Sequence, residues 1–393
     1  MLSFHSQKWL RRLLPIQNQI DRLKLSPFSG FSAAANRSFS TIVWTPQRYL
    51  KNNRNHCAKN HNSSQNKTVS SSAKHQKIRY YSVTSSKLLP PKTNNSSEIP
   101  KTLQTVAEWI KKSEDTCQKN ILVLCGAGVS VAAGIPDFRT PGTGLYDNLQ
   151  TYNLPFPEAV FDLDYFRQKP QAFLSLARDI WPGMVAEHSP TLTHSFLALL
   201  EEKKVMLRCY TQNIDGLEFL AGVPPKRLVE CHGHFRTASC TQCGAPADIE
   251  VVKECILMGR AKDSLEPLLC DQCQTGYVKP DIVFFSERLP DRVSELLADD
   301  LVEADLLLIL GTSLQVAPVA MIPDSVQPRC RRVLLNREFV GNLDLYQESQ
   351  KENPRDLFHA GDCDESILSI CKVLGWEDLL LKRNEAAKIT VSA

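Results

Sequence analysis

Four cysteines of the chain fall in two pairs, Cys240-x-x-Cys243 and Cys270-x-x-Cys273, with 26 residues between the pairs. Four soft ligands at that spacing suit a tetrahedral Zn2+. A closed set of four thiolates leaves no open position, so the metal would be structural; a catalytic zinc keeps a water site and more often uses histidine. The gap is longer than in the usual zinc ribbon. Cys255 lies between the pairs without a partner at short spacing. Redox-active thiols are the other reading of such pairs.

A second group of residues suits nucleotide chemistry. Gly126-Ala127-Gly128 follows the apolar run Ile121–Cys125 and precedes Val129–Ala133. That order predicts a strand, a turn with little or no Cβ, and a helix whose N-terminus forms an anion site suited to a pyrophosphate. An ordinary strand–loop–helix connection has the same letters, since a lone G-x-G is weak. Gly134-Ile135-Pro136-Asp137-Phe138-Arg139 then sets an acid, a ring and a cation just beyond the turn. Asn213 and Asp215 place an amide and a carboxylate one residue apart after the strand Met206–Tyr210, within reach of one ribose and its base. Alternatively they form an Asx turn that closes the strand. His232, followed by Gly233, ends the run Leu228–Gly233. A neutral histidine there suits proton transfer, and a satisfied core histidine fits the position equally. His188, His194, His234 and His359 also lie in the folded part.

These groups need a scaffold. Leu103, Val106, Ala107 and Ile110 fall at helical spacing, so folding is expected to begin near Thr102. Helical spacing recurs over Phe156–Arg167, Pro170–Ile180, Thr193–Lys204 and Asp364–Leu374. Strands are expected at Ile121–Cys125, Met206–Tyr210, Leu228–Gly233, Leu306–Leu310 and Val333–Leu335, each followed by small or polar residues. Strands with helices between them argue an α/β fold, a Rossmann-like parallel sheet with helices on both faces, interrupted by the cysteine module at 240–273.

Composition bounds the rest. The chain has 393 residues, 42% of them hydrophobic, and its longest aliphatic run, Leu306–Leu310, is far short of a membrane span. Net charge is +3, unevenly placed. Residues 1–82 hold 14 Lys and Arg against Asp21 alone, which leaves 32 basic and 42 acidic residues, a formal −10, for the remainder. No nucleic-acid binding is expected of that body. The odd count of 13 cysteines, with no secretory signal, predicts reduced thiols plus a metal site rather than disulfides. The first 82 residues are basic, serine-rich and acid-poor, with a short amphipathic run over residues 8–14 before Pro15. That is the profile of a mitochondrial transit peptide and implies the matrix. Arg37-Ser38-Phe39-Ser40 and Arg79-Tyr80-Tyr81-Ser82 resemble matrix-peptidase sites. A disordered basic tail that binds nucleic acid or an import receptor, in a nuclear or cytoplasmic protein, is the alternative. Residues 83–100 read as a linker and 376–393 as a C-terminal tail.

From about Thr102 to Gly375 these motifs resemble the sirtuin family, class I, which includes mitochondrial deacetylases. The resemblance implies a catalytic domain over 101–375 with a small inserted zinc lobe. It implies NAD as a consumed co-substrate and acetyl-lysine proteins or peptides as substrates, without nucleic acid or membrane. In such a reaction the acyl oxygen attacks C1′ of the ribose as nicotinamide leaves, and His232 then deprotonates a ribose hydroxyl. By the same matching, Gln212, Asn213, Ile214 and Asp215 hold the nicotinamide end. Gly126, Ala127, Gly128, Asp137, Phe138, Arg139 and Tyr146 surround the phosphates and reacting ribose. Gly311, Thr312, Ser313, Asn336, Arg337, Glu338 and Cys363 line the adenosine half. Val283, Phe284 and Phe285 are expected to pair with the peptide as a strand. Asp147, near the spacing of a Rossmann acid, receives no role. The family often has Gly where this chain has Ser286 and a small residue where it has His234. Between Arg139 and Arg167 there is no Lys or Arg; family members that remove dicarboxylic acyl groups carry an arginine there, so acetyl is expected first. An ADP-ribosyltransferase using the same site, and a catalytically silent NAD- and zinc-binding module, are the other functions this site could serve.

Overall fold

Ile121–Cys125 is buried along its whole length and forms β1 at the centre of a parallel sheet. The structure is a computed structural model that describes residues 45–46, 98–140, 144–146, 149, 154–182, 188–258, 266–345 and 354–392. The chain divides into one unit of Met1–Gln47 with Ile99–Ala393 and a second of Arg48–Glu98, and the elements named here belong to the first. The transit-peptide and linker expectations lie almost wholly outside the described residues. Of 1–82 only Thr45 and Pro46 are described, in an antiparallel ladder with Val316 and Ala317.

The remaining strands are β2 (Met206–Thr211), β3 (Leu228–Glu230), β4 (Gly233–Cys240), β5 (Pro246–Ala247), β6 (Val278–Ile282), β7 (Leu306–Leu310), β8 (Arg331–Asn336) and β9 (Asp356–Ala360). The main sheet has six strands in the order β9-β8-β7-β1-β2-β3, with every pair parallel. Chain order runs outward in both directions from the β1–β7 pair. The ends of those two strands therefore flank the crevice where such sheets bind ligands.

Alternation along β1 explains the layers. Ile121, Val123 and Cys125 enter one core cluster; Leu122 and Leu124 enter another on the opposite face. The first cluster is closed by α1 (Lys101–Asp115) and α4 (Leu192–Glu202), together with α8 (Cys363–Leu374) and α9 (Glu377–Ser392). The second is closed by α2 (Leu163–Gln168), α3 (Pro170–Ile180) and α7 (Asp291–Glu303). Because both faces are covered, β1 and β7 read as unbroken apolar runs. The cysteine module is a separate three-stranded antiparallel sheet, β5-β4-β6, with helix α6 (Ile249–Met258).

Several expectations need correction. No α-helix follows the glycine turn. Ala127–Val129 and Val131–Ala133 are two 3-10 turns, ended by Gly134 at φ 79° and by Pro136 just after, which leaves too little chain for an α-helix. The span from Phe156 breaks into a 3-10 stretch, Pro157–Phe161, and α2. The lobe is wider than 240–273, reaching from β4 to β6. A sixth strand, β9, begins with an acid that sequence propensity places outside a strand. Asp356 is nonetheless buried, because Arg332, directly opposite on β8, donates to both of its oxygens, with Nε 2.7 Å from Oδ1. Instead of a tail, residues 377–392 form α9, which buries Leu380 and lets Asn384 Nδ2 donate to Pro190 O at 2.7 Å.

The glycines at the switch point serve the crossing of two backbones. Gly126 N donates to Leu310 O at 3.0 Å and Gly128 N to Gly311 O at 2.8 Å. A Cβ on Gly128 would lie 2.7 Å from Gly311 Cα, and one on Gly311 2.6 Å from Val129 N. Gly128→Ala should therefore lower stability by about 2 kcal/mol, the usual scale of overpacking a tight site, read as a reduced urea midpoint. An unchanged midpoint would refute this account of the turn.

Candidate functional site

The two cysteine pairs converge at one end of the lobe. Cys240 closes β4, and Cys270 and Cys273 lie in the loop before β6. Sγ of Cys240 is 3.7 Å from that of Cys273, and Sγ of Cys243 is 3.7 Å from that of Cys270. All four sulfurs lie within 4.8 Å of one another. Four thiolates around zinc at about 2.3 Å would stand about 3.8 Å apart, so the cluster fits the ion. Gln242 N donates to Cys240 Sγ and Gly276 N to Cys273 Sγ, contacts that orient those sulfurs. Cys255 is exposed and outside the cluster. Zinc held by four sulfurs ties the loops together and takes no part in chemistry.

A cavity of about 410 Å³ opens at the β1–β7 switch point. Its lining includes Gly126, Ala127, Gly128, Asp137, Phe138 and Arg139 from the β1 side. Gln212 and Asn213 enter from the end of β2 and His232 from the end of β3. Gly311, Thr312 and Ser313 follow β7, Asn336, Arg337 and Glu338 follow β8, and Cys363 opens α8. Three predicted residues, Tyr146, Ile214 and Asp215, do not line it. Tyr146 packs behind Phe138 at 5.7 Å between ring centroids, under the guanidinium of Arg139. Sequence reasoning missed Val131, Thr140, Gln315, Val316, Val340, Gly361 and Asp362, which the cavity also touches. Gly361 and Asp362 carry the signal seen elsewhere, small and polar residues after a strand, but that strand is β9.

Several expected ligand contacts are spent on the loops themselves. Asp137 Oδ1 accepts from the N–H of Arg139 at 2.9 Å and of Thr140 at 2.7 Å, and the Thr140 hydroxyl donates to Oδ2. Burial pulls its carboxyl upward, but these donors outweigh it and hold the group below its usual range. Asp137 thus builds the loop that presents Phe138 and Arg139. Gln212 Nε2 donates to Thr312 Oγ1 at 2.9 Å and to Cys125 O at 3.2 Å, tying β2 to β7 and β1. Asn336 Nδ2 donates to Thr312 O at 3.2 Å.

Asn213 is buried, and its Nδ2 donates to Gly126 O at 3.2 Å and Ser130 Oγ at 3.3 Å. Ser130 in turn donates to Asp215 Oδ2 at 2.7 Å. Asp215 Oδ1 accepts from Leu217 N at 2.9 Å, so the Asx-turn reading holds in part. Asp215 sits behind Asn213 rather than on the cavity wall.

His232 lies with Nδ1 2.9 Å from Gln212 O. A carbonyl only accepts, so Nδ1 carries the proton and Nε2 the lone pair. Its backbone is held as firmly: Val283 N donates to His232 O at 2.8 Å. Gly233 follows at φ 77°, where a Cβ would collide with Asp281 O. Burial lowers the imidazole to about 4, against a smaller upward pull from the Gln212 carbonyl.

The peptide segment is less open than expected. Val283, Phe284 and Phe285 are buried. Their N–H groups already donate within the chain, to His232 O, to Glu287 Oε2 at 2.6 Å and to Phe161 O at 2.7 Å. An added strand would find those donors taken. Ser286 follows at φ 75°, a left-handed conformation unfavourable for a residue with a Cβ.

A depressed histidine has a signed consequence. The unfolded state takes up a proton near pH 6.5 and the folded state only near 4, so stability is full above pH 6.5 and is lost as pH falls from there. In an NMR titration of the ligand-free protein, the His232 ring should remain neutral at pH 5.5, where a free histidine is roughly nine-tenths protonated. A midpoint near 6.5 would show that the ring is solvated rather than buried.

A family model described as the Sir2 family matches residues 126–318. The "NAD-dependent protein deacetylase hst2" of Schizosaccharomyces pombe is 45% identical over 282 residues, which cover 72% of this chain and 79% of that protein. The "NAD-dependent protein deacetylase sirtuin-3" of Mus musculus is 44% identical over 286 residues, 73% of this chain and 80% of its own. The "NAD-dependent protein deacetylase sirtuin-2" of Danio rerio is 42% identical over 303 residues, 72% and 76% respectively. With its matched core spanning the glycine crossing, His232 and the four-cysteine cluster, the chain belongs to the Sir2 family.

Proposed function

We propose that the protein is an NAD-dependent protein-lysine deacetylase, with proteins or peptides that carry acetyl-lysine as substrates. The observation that carries this reading is the placement of His232, which lines the cavity at the sheet's switch point with its Nδ1 2.9 Å from Gln212 O. The kinship with deacetylases supports it. Bound NAD would supply an activated ribose carbon for the acetyl oxygen, and with nicotinamide released and one water consumed the products would be O-acetyl-ADP-ribose and free lysine.

The chain's own residues have separable tasks. His232, neutral at working pH, accepts a proton from a ribose hydroxyl at Nε2, while its Nδ1–H stays on Gln212 O. Asn213, its amide nitrogen held by Gly126 O and Ser130 Oγ, lines the cavity at the nicotinamide end, and Asp215 behind it stabilises the developing positive charge. Gly126, Ala127, Gly128 and Arg139 face the phosphates, and Thr312, Ser313, Asn336 and Arg337 face the adenosine half. Phe138 lies at one end of an aromatic series that continues through Phe161 at 6.1 Å to Phe284 a further 6.0 Å on. Of these rings Phe138 lines the cavity, and the buried pair behind it would support it in excluding water from the acyl group. With no Lys or Arg between Arg139 and Arg167, nothing in that stretch pairs a distal carboxylate, and a neutral acetyl group is preferred over succinyl or malonyl.

Incubation of residues 83–393 with an acetyl-lysine peptide and NAD should release nicotinamide and remove acetyl in equal amounts. His232→Ala should be slowed at least 100-fold, in line with loss of a general base, and a succinyl peptide should react at least tenfold more slowly than the acetyl one. Nicotinamide release without deacetylation, with ADP-ribose left on protein, would replace this reading with the transferase.

The basic, acid-poor first 82 residues support import into the mitochondrial matrix. Among the described residues no helix is long and apolar enough to cross a membrane. Residues 1–100 fused to a fluorescent reporter should direct it to mitochondria and be shortened there; nuclear accumulation would refute the assignment.

A further inference from the structure

Under Asn213 and Asp215 lies a second polar layer that the reaction as described does not use. A ring nitrogen of His194 and carboxylate oxygens of Asp215 and Glu218 lie within 4.8 Å of one another. His194 and Glu218 are both fully buried. The direction of the hydrogen bonds can be worked out. Thr191 N donates to His194 Nδ1 at 3.1 Å, so Nε2 bears the proton and points it at Ser130 Oγ, 3.5 Å away. Ser130 then gives its own proton to Asp215. With Nε2 committed as a donor, the cluster lacks the lone pair a metal would need.

Glu218 stands apart from this chain. It is carried by the single turn α5 (Leu217–Leu220) that follows Asp215. Its Oε1 accepts from Thr211 Oγ1 at 2.5 Å, and Thr211 Oγ1 accepts from Asn213 N at 3.1 Å. Its Oε2 is buried without a hydrogen-bond partner among the described residues. Among the described residues no cation pairs with it. The groups facing it are Asp215, Glu230 of β3, His194 of α4 and the thiols of Cys125 and Cys231. From α9, which also packs on α5, the nearby cation Arg383 is engaged with Glu202. A second unpaired carboxylate at this depth would be strongly disfavoured.

We propose that Glu218 is a positioning residue for the NAD-consuming step: through Thr211 it holds the Asn213–Asp215 turn under the cavity. This rests on the deacetylase reading of the site. Glu218 has the right chemistry for the role, since burial, and then the charge of Asp215, raise its carboxyl to about 8. As a neutral acid it accepts from Thr211 at one oxygen and adds no further negative charge next to Asp215. Once ionised, it would repel Asp215 and disturb the turn.

The test compares the wild type, Glu218→Gln and Glu218→Ala between pH 6 and 10. It reads kcat, both KM values, NAD affinity by calorimetry and thermal unfolding. Glu218→Gln keeps the acceptor but cannot ionise. It should stay within threefold of wild type at pH 7 and lose the fall in kcat/KM for NAD that wild type shows above pH 8. Glu218→Ala should lose 10- to 100-fold in kcat/KM for NAD and bind NAD at least tenfold more weakly, with the peptide KM unchanged. Glutamine as poor as alanine at pH 7 would overturn the proposal, because the charge itself would then be needed. So would an alanine variant with wild-type NAD affinity and turnover, or one whose losses vanish at a temperature where it is fully folded. A wild type that binds NAD but does not deacetylate would sink the reaction assigned to the site, whereas NAD affinity in the alanine variant still tests the positioning alone.

Discussion

The contact of Gly126 and Gly128 with Gly311 and Thr312 is the constraint on which the site depends. Two parallel strands, β1 and β7, end side by side, and the chain must leave them in opposite directions around the sheet. Their exits cross so closely that a Cβ on Gly126 would lie 2.6 Å from Thr312 Cβ. Closeness here has two effects. It lets the N–H groups of Gly126 and Gly128 find carbonyl partners on the β7 side, so no buried donor is orphaned. It also keeps the crossing low, which leaves the cavity open above it. These glycines are therefore required by protein packing before any ligand arrives, and phosphate recognition has to come from groups other than the two N–H donors already in use.

Below the crossing the polar groups form a directed network rather than a collection of ligands. Gln212, Asn213 and Ser130 each join two or three elements, and Thr191 serves both as N-cap of α4 and as an anchor for His194. Such a network is costly to leave half-satisfied in a low-dielectric interior, and complete it fixes one geometry. That explains why Asp137, which lines the cavity, and Asp215, which does not, both hold the backbone that presents their neighbours. The line between binding residue and scaffold runs through the motifs, not around them.

This is also the limit of what the sequence made legible. Unbroken aliphatic runs identified β1 and β7, since strands covered on both faces carry no polar residue. The cysteine spacing identified the metal cluster, since zinc geometry admits few alternatives. β9 was missed because Asp356 is tolerated only by Arg332 on the neighbouring strand, a pairing across 24 positions that no local pattern reveals. The helix expected after the glycines failed for a different reason. Val129–Ala133 have adequate propensity, but Gly134 and Pro136 end the segment first. Glu218 was invisible as anything but a surface-like acid in a short helix, because its burial is a property of α4, β2 and β3 closing over it. For His232 the letters left catalytic and core roles equally open. Both descriptions apply, since the ring is buried and also faces the cavity.

The metal lobe and the histidine proposed as the base are joined through two strands. β4 begins at Gly233, the residue after His232, and its register places Gly233 opposite Ile282 on β6. Val283, next after β6, donates back to His232 O. The far ends of the same two strands run into the four-cysteine cluster, with Cys240 opposite Val278. Lys279 reinforces the middle: its buried ammonium donates to Ile282 O at 2.6 Å and pairs with Glu287 at 3.0 Å, and Glu287 accepts from Phe284 N. Free energy released by metal binding goes into folding the lobe, and the β4–β6 pairing, irregular between Gly233 and Ala238, links the cluster to both sides of the histidine. A structural zinc in the cluster would in this way hold His232 and the buried segment beside it in register.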